Sequence, residues 1–526
     1  MYKVLVSDKL SDKGLEVLRS NKEFKVDVKV GLTPDELKGI IKGYDGLLVR
    51  SSTKVTKDII EASDLKVIGR AGVGLDNVDL KAATSKGIIV MNSPSGNTIS
   101  TAEHAMSLML SLSRNIAPAD KTMKAGGWDR SKFTGVELYN KVLGIVGFGR
   151  IGQAVAKRAM SFGMKIIAYD PFISKEVAGK LGIELVELKK LFAESDYITF
   201  HIPLTEETKD LISAKKIPLL KKGVRIINCA RGGIVNEADL AKALGDGKIA
   251  GVALDVYLKE PPQNLALAGC DNVVLTPHLG ASTKEAQVNV AVEIAEQVRD
   301  ALLGKGIRNA ANFPSVTPET YRTLQPMFNL AEKMGSLMAQ LADGRINNVD
   351  IVYYGEVSNF DTTPLTMSVL KGLLTPILRD TVNFINAMTL AKERSIKVKE
   401  ERSSELVDFT NLISLQIKTD KGQYKIDGTL FTKKDLRIAR INDFYVEAIP
   451  EGNMLIINNI DKPGIIGNLG TLLGKHKINI AGMTFGRQKE GGKAITVLNI
   501  DCPVAPAVLE KIKKLEYIKG VKAIKL

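Results

Sequence analysis

The sequence is poor in the residues that build staples, metal cages and membrane spans. Its three cysteines, Cys229, Cys270 and Cys502, lie far apart. That excludes a disulfide scaffold and predicts a reducing, cytoplasmic setting. Four histidines are scattered with no paired spacing, so no catalytic metal is expected. No apolar run reaches the ~18 residues that a membrane span needs. The opening "MYKVLVSDKL" lacks the long apolar core and small-residue cleavage site of a secretory signal, so no membrane partner is expected. There is no low-complexity tract, and the composition carries no signature of disorder.

What is present is charge, with a formal net value of +14. Asn453 to Leu526 alone carries +7, half of the surplus. This raises nucleic-acid binding, but the lysines of "EKIKKLEYIKGVKAIKL" follow an amphipathic spacing and read as a solvated face. No nucleic-acid partner is expected, although such a surplus also attracts small anions.

A chain of 526 residues accommodates about three or four domains. "YKVLVS", "FKVDVKV", "DGLLVR" and "LKVIGRAG" read as strands, and Thr33, Pro34 and Glu36 predict a capped helix between the second and third. "SPSGNTISTAEHAMSLMLSLSRN" predicts a long buried helix, with Ser100 and Glu103 at capping-box spacing and His104 reading as packing. From Lys141 to Gly280 the strands "VLGIVGF", "KIIAYD", "YITFHI", "VRIINCA", "GVALDV" and "NVVLTPH" are near-continuous apolar runs, as parallel strands covered on both faces should be. Residues ~314–450 contain helices and alternating strands without a glycine fingerprint, and the last segment reads βαββαβ.

Gly147-Phe148-Gly149-Arg150-Ile151-Gly152 supplies the tight turn, the close approach to a pyrophosphate and the helix–sheet contact of a dinucleotide site. Asp170 follows 18 positions after Gly152, where a carboxylate accepts from ribose hydroxyls and repels a 2′-phosphate. NAD is therefore the expected cofactor. His201, which ends a strand, borders this site or is structural. Three further polar residues lie just past strand ends, the edge at which open parallel sheets bind ligands. These are Arg231 in "NCARGGIVNE", Glu260 in "DVYLKEPP" and His278 in "TPHLGAST". Histidine accepts a hydroxyl proton, a neighbouring carboxylate orients it, and arginine grips a substrate carboxylate. Each also has a structural alternative: an ion pair for Arg231, a surface loop for Glu260, and a satisfied polar residue for His278.

"GFGRIGQAVAKRA", "YDP", "INCARGGIVNE", "ALDVYLKEPP" and "TPHLGAST", in this order, resemble the D-isomer-specific 2-hydroxyacid dehydrogenases. In that family the matching arginine, glutamate and histidine are catalytic, which implies the same for Arg231, Glu260 and His278. "GRAGVGLDNVDL", "NSPSGNTISTAEHA" and "WDRSKFTGVEL" resemble its long branch that acts on 3-phospho-D-glycerate. The rival branch reduces glyoxylate or hydroxypyruvate, and a rival class is an NAD-sensing corepressor. The resemblance implies an α/β fold: a Rossmann-type NAD-binding domain (99–286) inserted in a flavodoxin-like substrate domain (1–98 and 287–312). An α+β intervening domain (313–450) and a ferredoxin-like ACT domain (453–526) would follow. It places Cys229, Ala230, Asp255 and Gly280 at the cofactor with Arg150 and Ile151. Ala71, Gly72, Val73 and Gly74 would offer amides to the substrate carboxylate. Arg50 and Arg70 would meet its phosphate, with Arg130 assisting across a subunit boundary or serving as a surface ion pair. Asn459, Asp461 and Asn479 would bind L-serine between paired tails, the alternative being a tail that serves assembly alone. A homotetramer is the implied state.

Overall fold

The computed structural model describes residues 1–263, 265–405, 408–432 and 434–526. The first strands form a five-stranded parallel sheet in the spatial order Phe24–Val28, Tyr2–Val6, Gly46–Val49, Val67–Arg70 and Ile89–Asn92. One hydrophobic cluster covers each face, which is why these strands are apolar along their length. Between the strands Phe24–Val28 and Gly46–Val49, the helix Pro34–Ile40 carries the expected capping box. Glu36 N donates to Thr33 Oγ1 at 3.3 Å and Thr33 N to Glu36 Oε2 at 2.8 Å. The helix Lys284–Leu302 returns to this sheet and buries Ile294, Val298 and Leu302 against it. Gly14 allows that return, since a Cβ there would stand 2.7 Å from the Ala291 Cβ.

The helix Thr98–Ser113 leads out of the first sheet. It starts earlier than the Ser100 capping box predicts, because Asn97 takes the cap position and the Ser100 hydroxyl donates to Asn97 O at 3.0 Å. Glu103 faces outward to Arg158 instead, at 3.0 Å. The second sheet has seven parallel strands, in the spatial order Val273–Leu275, Ile249–Leu254, Val224–Asn228, Tyr197–Phe200, Val142–Val146, Lys165–Tyr169 and Glu184–Leu185. The order in which strands are added reverses between Val142–Val146 and Tyr197–Phe200, which creates the crevice where doubly wound sheets bind ligands. Glu184–Leu185 was absent from the sequence expectation; two residues are too few to carry a periodic pattern.

Two sheets make up the remainder. Lys397–Ser403, Ile346–Gly355, Asn411–Thr419, Gln423–Leu430, Leu436–Ile441 and Phe444–Ala448 form a six-stranded sheet in that spatial order, parallel only in its first pair. The tail folds as βαββαβ, with its antiparallel sheet ordered Ile480–Arg487, Lys493–Ile500, Asn453–Ile460 and Ile518–Lys525. Met454, Ile456, Val497 and Ile524 of the tail share one core with Leu330, Met334 and Ile438 of the six-stranded sheet and its helices. These two C-terminal units are therefore apolar to each other. Among the described residues no helix is long and apolar enough to cross a membrane.

The helices Pro318–Leu341 and Thr363–Leu378 meet backbone to backbone at two glycines. A Cβ on Gly335 would lie 2.0 Å from Val369 O, and one on Gly372 would lie 1.9 Å from Glu332 O. Gly335→Ala or Gly372→Ala should therefore force the helices apart and destabilise the C-terminal unit by about 1–3 kcal/mol. Denaturant unfolding followed by circular dichroism checks this, the expected result being a lowered midpoint for either variant.

Candidate active site

The glycine turn leaves Val142–Val146 and enters the helix Arg150–Ser161. Gly147 has φ +92°, and a Cβ there would stand 2.5 Å from His201 O. Gly152 brings the helix down on the turn, where a Cβ would meet Gly147 O at 2.2 Å. Gly149 faces open space, and the helix N-terminus has no side-chain cap. Its first amides are thus left for an anion. Asp170 Oδ2 accepts from Phe148 N and its Oδ1 from Phe172 N, both at 2.8 Å. Each oxygen keeps a lone pair for a ribose hydroxyl. These residues fit NAD: an open glycine loop for the pyrophosphate and a carboxylate beside it for the adenosine ribose. Arg150 is exposed and Ile151 half-buried at the helix start. Cys229 is buried, and burial, with the charge of Asp255, pushes its thiol well above the usual range. It stays protonated, so this position offers packing and backbone rather than a reactive sulfur.

At the ends of the neighbouring strands, His278 Nδ1 and Glu260 Oε2 are 2.7 Å apart. The pair is open to solvent, with side chains 49% and 38% exposed. Glu260 is itself held by Tyr257 N, which donates to its Oε1 at 3.2 Å. Arg231 lies against the loop after Val67–Arg70, where a Cβ on Gly74 would come within 2.2 Å of its Nη2. Its Nε stands 3.4 Å from Asp76. The structure thus brings Arg231 to the border of the two sheets, with the histidine–glutamate pair at the adjoining strand ends.

A buried carboxylate organises the loop that carries the histidine. Asp255 Oδ1 accepts from Thr276 Oγ1 at 2.6 Å and Leu279 N at 2.7 Å, and His104 Nε2 stands 3.1 Å from it and 3.2 Å from Thr276 Oγ1. Its Oδ2 accepts from Gly280 N at 2.8 Å. Burial pushes the Asp255 carboxyl up, but the bonds from His104, Thr276 and Leu279 outweigh it and hold the group below its ordinary value. Asp255 is wholly buried, so the expected cofactor residue spends its carboxylate on the loop. His278 itself has φ +55°, a left-handed conformation that costs a branched or ring side chain energy unless its surroundings impose it. His104, read from sequence as packing, belongs to this network. The overlooked signal is that Thr101 and His104 are polar at i and i+3 of an apolar helix, and Thr101 Oγ1 also donates to Gly280 O at 3.2 Å.

Three guanidinium groups converge near the loop after Val67–Arg70. Burial, with the charges of Arg231 and Arg50, brings Arg70 down to about 10. It stays cationic at neutral pH. Asn77, which sequence reasoning passed over, sets this cluster: it accepts from Arg70 Nε at 3.0 Å and donates to Arg50 O at 2.7 Å and Thr53 O at 2.6 Å. The amides of the loop are divided. Ala71 N donates to Val49 O at 2.8 Å, because the chain extends the parallel ladder before it turns, and Gly72 N donates to Arg70 O at 2.9 Å, closing a tight turn within the loop. Those two are spent, and Val73 and Gly74 donate to no acceptor among the described residues. Arg130 lies apart on an exposed segment beside Trp128.

The tail residues do not converge within one chain. Asp461 accepts from Arg487 at 2.9 Å and Asn459 from Thr496 Oγ1 at 3.0 Å, at one end of the sheet. Asn479 bonds Asp501 at 2.8 Å at the other end, since the βαβ crossover starts both of its strands from the same edge.

Residues 106–280 match the NAD-binding domain of the D-isomer specific 2-hydroxyacid dehydrogenases. A solved structure from Thermus thermophilus, the TT0316 protein, superposes with TM-score 0.54 at 33% identity over 59% of this chain and 99% of its own. D-lactate dehydrogenase from Aquifex aeolicus, solved with NAD and lactic acid, gives TM-score 0.53 at 29% identity over 59% and 100%. Fold and site together define an NAD-dependent oxidoreductase of this class. The rest of the chain narrows the class: residues 323–442 match the D-3-phosphoglycerate dehydrogenase intervening domain, and residues 453–517 match the ACT domain. D-3-phosphoglycerate dehydrogenases of Synechocystis and of Methanocaldococcus jannaschii are each 46% identical over all of this chain, covering 95% and 100% of their own lengths. The chain belongs to the D-3-phosphoglycerate dehydrogenase family.

His201 lies beneath the glycine turn, and burial brings it down to about 4. The native state keeps it neutral, whereas the unfolded chain takes up a proton below about 6.5. Its contribution is complete above that value and is lost as pH falls toward 4, reaching roughly 2 kcal/mol at pH 5. Denaturant melts of wild type and His201→Gln at pH 7.5 and pH 5 check this. The wild type should lose more stability than the variant by about that amount.

Proposed function

We propose that the chain oxidises 3-phospho-D-glycerate to 3-phosphooxypyruvate with NAD, releasing NADH and a proton, as the first step of phosphorylated L-serine synthesis. What supports this reading is a histidine–carboxylate pair at strand ends adjoining the one that carries Arg231, together with the approach of Arg231 and Arg50 to Arg70. Glu260 holds His278 by Nδ1, so Nε2 receives the proton of the C2 hydroxyl. When bound, NAD supplies the hydride acceptor. Arg231 grips the substrate carboxylate and polarises the carbonyl in the reverse direction, helped by the free amides of Val73 and Gly74. Arg70 and Arg50 neutralise the phosphate, which also relieves their mutual repulsion. Asp255 acts through the loop, by keeping His278 in place.

The cytoplasm is the proposed location, and more than one subunit the proposed state. The helix Ile116–Lys124 buries none of its residues, and Trp128 after it is 78% exposed. A second copy would cover this apolar stretch and bring Arg130 toward a neighbouring cleft. The tail supports an L-serine site formed across two copies, with Asn459 and Asp461 from one and Asn479 from the other.

NADH appearance with 3-phosphoglycerate, pulled forward by a carbonyl trap, tests the reaction. His278→Asn or Glu260→Gln should lower kcat by about 10²- to 10⁴-fold. Arg70→Ala should raise KM for the phosphorylated substrate about 10- to 100-fold and leave glyoxylate reduction nearly unchanged. Equal losses on both substrates would remove the phosphate assignment. Calorimetry should register L-serine binding to wild type and none to Asp461→Ala.

A further inference from the structure

The helix Leu80–Lys86 ends at Gly87, whose φ is +79°. Helix ends leave carbonyls without intrahelical donors. Here three asparagines from later in the chain take them. Asn383 Nδ2 donates to Gly87 O at 2.8 Å, Asn386 Nδ2 to Ser85 O at 3.4 Å, and Asn312 Nδ2 to Ile88 O at 2.8 Å. Asn383 sits closest, since a Cβ on Gly87 would stand 2.0 Å from its Nδ2. Its side-chain oxygen is committed, with Oδ1 accepting from Ile385 N at 3.0 Å and Asn386 N at 3.2 Å. The donor end is therefore aimed by its own turn.

The other end of this helix is the cationic loop. Asp79 caps it by accepting from Ala82 N at 2.9 Å, two residues after the Asn77 that braces Arg70 and Arg50. Seven helical residues make a rod of about 10 Å, so displacement at Gly87 is carried to that loop. The contact is polar: among the described residues the core of the first sheet and the core of the C-terminal unit are separate clusters. The tail and the six-stranded sheet, by contrast, share one core and move together.

We propose that Asn383 is a positioning residue for the substrate loop, a latch through which the C-terminal unit sets the cluster of Arg70, Arg50 and Arg231. Its effect on substrate rests on the functional reading above. Asn383→Asp in the full chain keeps the Oδ1 acceptor and the turn, but faces Gly87 O with a carboxylate oxygen. Asn383→Ala removes the same bond without adding charge. Hydrogen exchange of peptides covering residues 70–88 and steady-state kinetics decide the matter. Exchange in 70–79 should quicken in both variants. KM for 3-phosphoglycerate should rise about fivefold or more, with kcat and KM for NAD little changed. Unchanged exchange in folded variants overturns the latch whatever the substrate. Faster exchange with unaltered KM keeps the latch and removes the loop from substrate binding. A fall in kcat with a raised KM for NAD, and exchange raised throughout the chain, means general destabilisation and also overturns it.

Discussion

One buried carboxylate holds the chemistry in register. Asp255 follows the strand Ile249–Leu254, receives donors from a threonine just past the next strand and from two successive amides of the loop that carries His278, and has a helix histidine 3.1 Å away. An ionised group taken out of water is costly unless its lone pairs are filled. The requirement works in both directions: the carboxylate is tolerated because the loop satisfies it, and the loop keeps a left-handed histidine because the carboxylate demands its amides. His278 can then meet Glu260 at hydrogen-bond distance while remaining open to a ligand.

Across the crevice the logic is opposite. Arg70 loses part of its proton affinity first through burial and then through repulsion by Arg231 and Arg50. Asn77 braces Arg70 and Arg50, and Asp76 stands 3.4 Å from Arg231. The three cations therefore gather at the join of two sheets, which neither sheet alone could do. Among the described residues, the hydrogen bonds from the end of the helix Leu80–Lys86 to the C-terminal unit come from the amide side chains of Asn383 and Asn386. Apolar contact welds the tail to the six-stranded sheet, and polar contact ties that body to the catalytic half. Surfaces joined by hydrogen bonds part more readily than those joined by a shared core, since exposed amides regain water.

Much of this was legible beforehand because it depends on local spacing. Gly147, Gly149 and Gly152 with Asp170 describe a strand–turn–helix–strand unit whatever surrounds it. Arg231, Glu260 and His278 each follow an apolar run, so their common edge follows from parallel topology. Ser100 misled because a hydroxyl followed three residues later by a glutamate marks a helix start only if no earlier residue takes the cap. Ala71 and Gly72 misled because one amide continues the ladder and the other closes a tight turn onto Arg70. His104 was hidden by its helix, whose apolar residues outnumber the two polar positions facing Asp255.

The sequence by itself determined the alternation of strands and helices, the dinucleotide turn and the residue types able to move a proton and hold an anion, since periodicity and turn chemistry are properties of neighbours in the chain. Only the tertiary structure decided which side chains share a space. Asp255 with His104, Arg231 with Gly74, and Asn383 with Gly87 are pairs far apart in the chain, and no local pattern records them. Their distances follow from how sheets twist, how a returning helix packs and which buried polar groups must find partners.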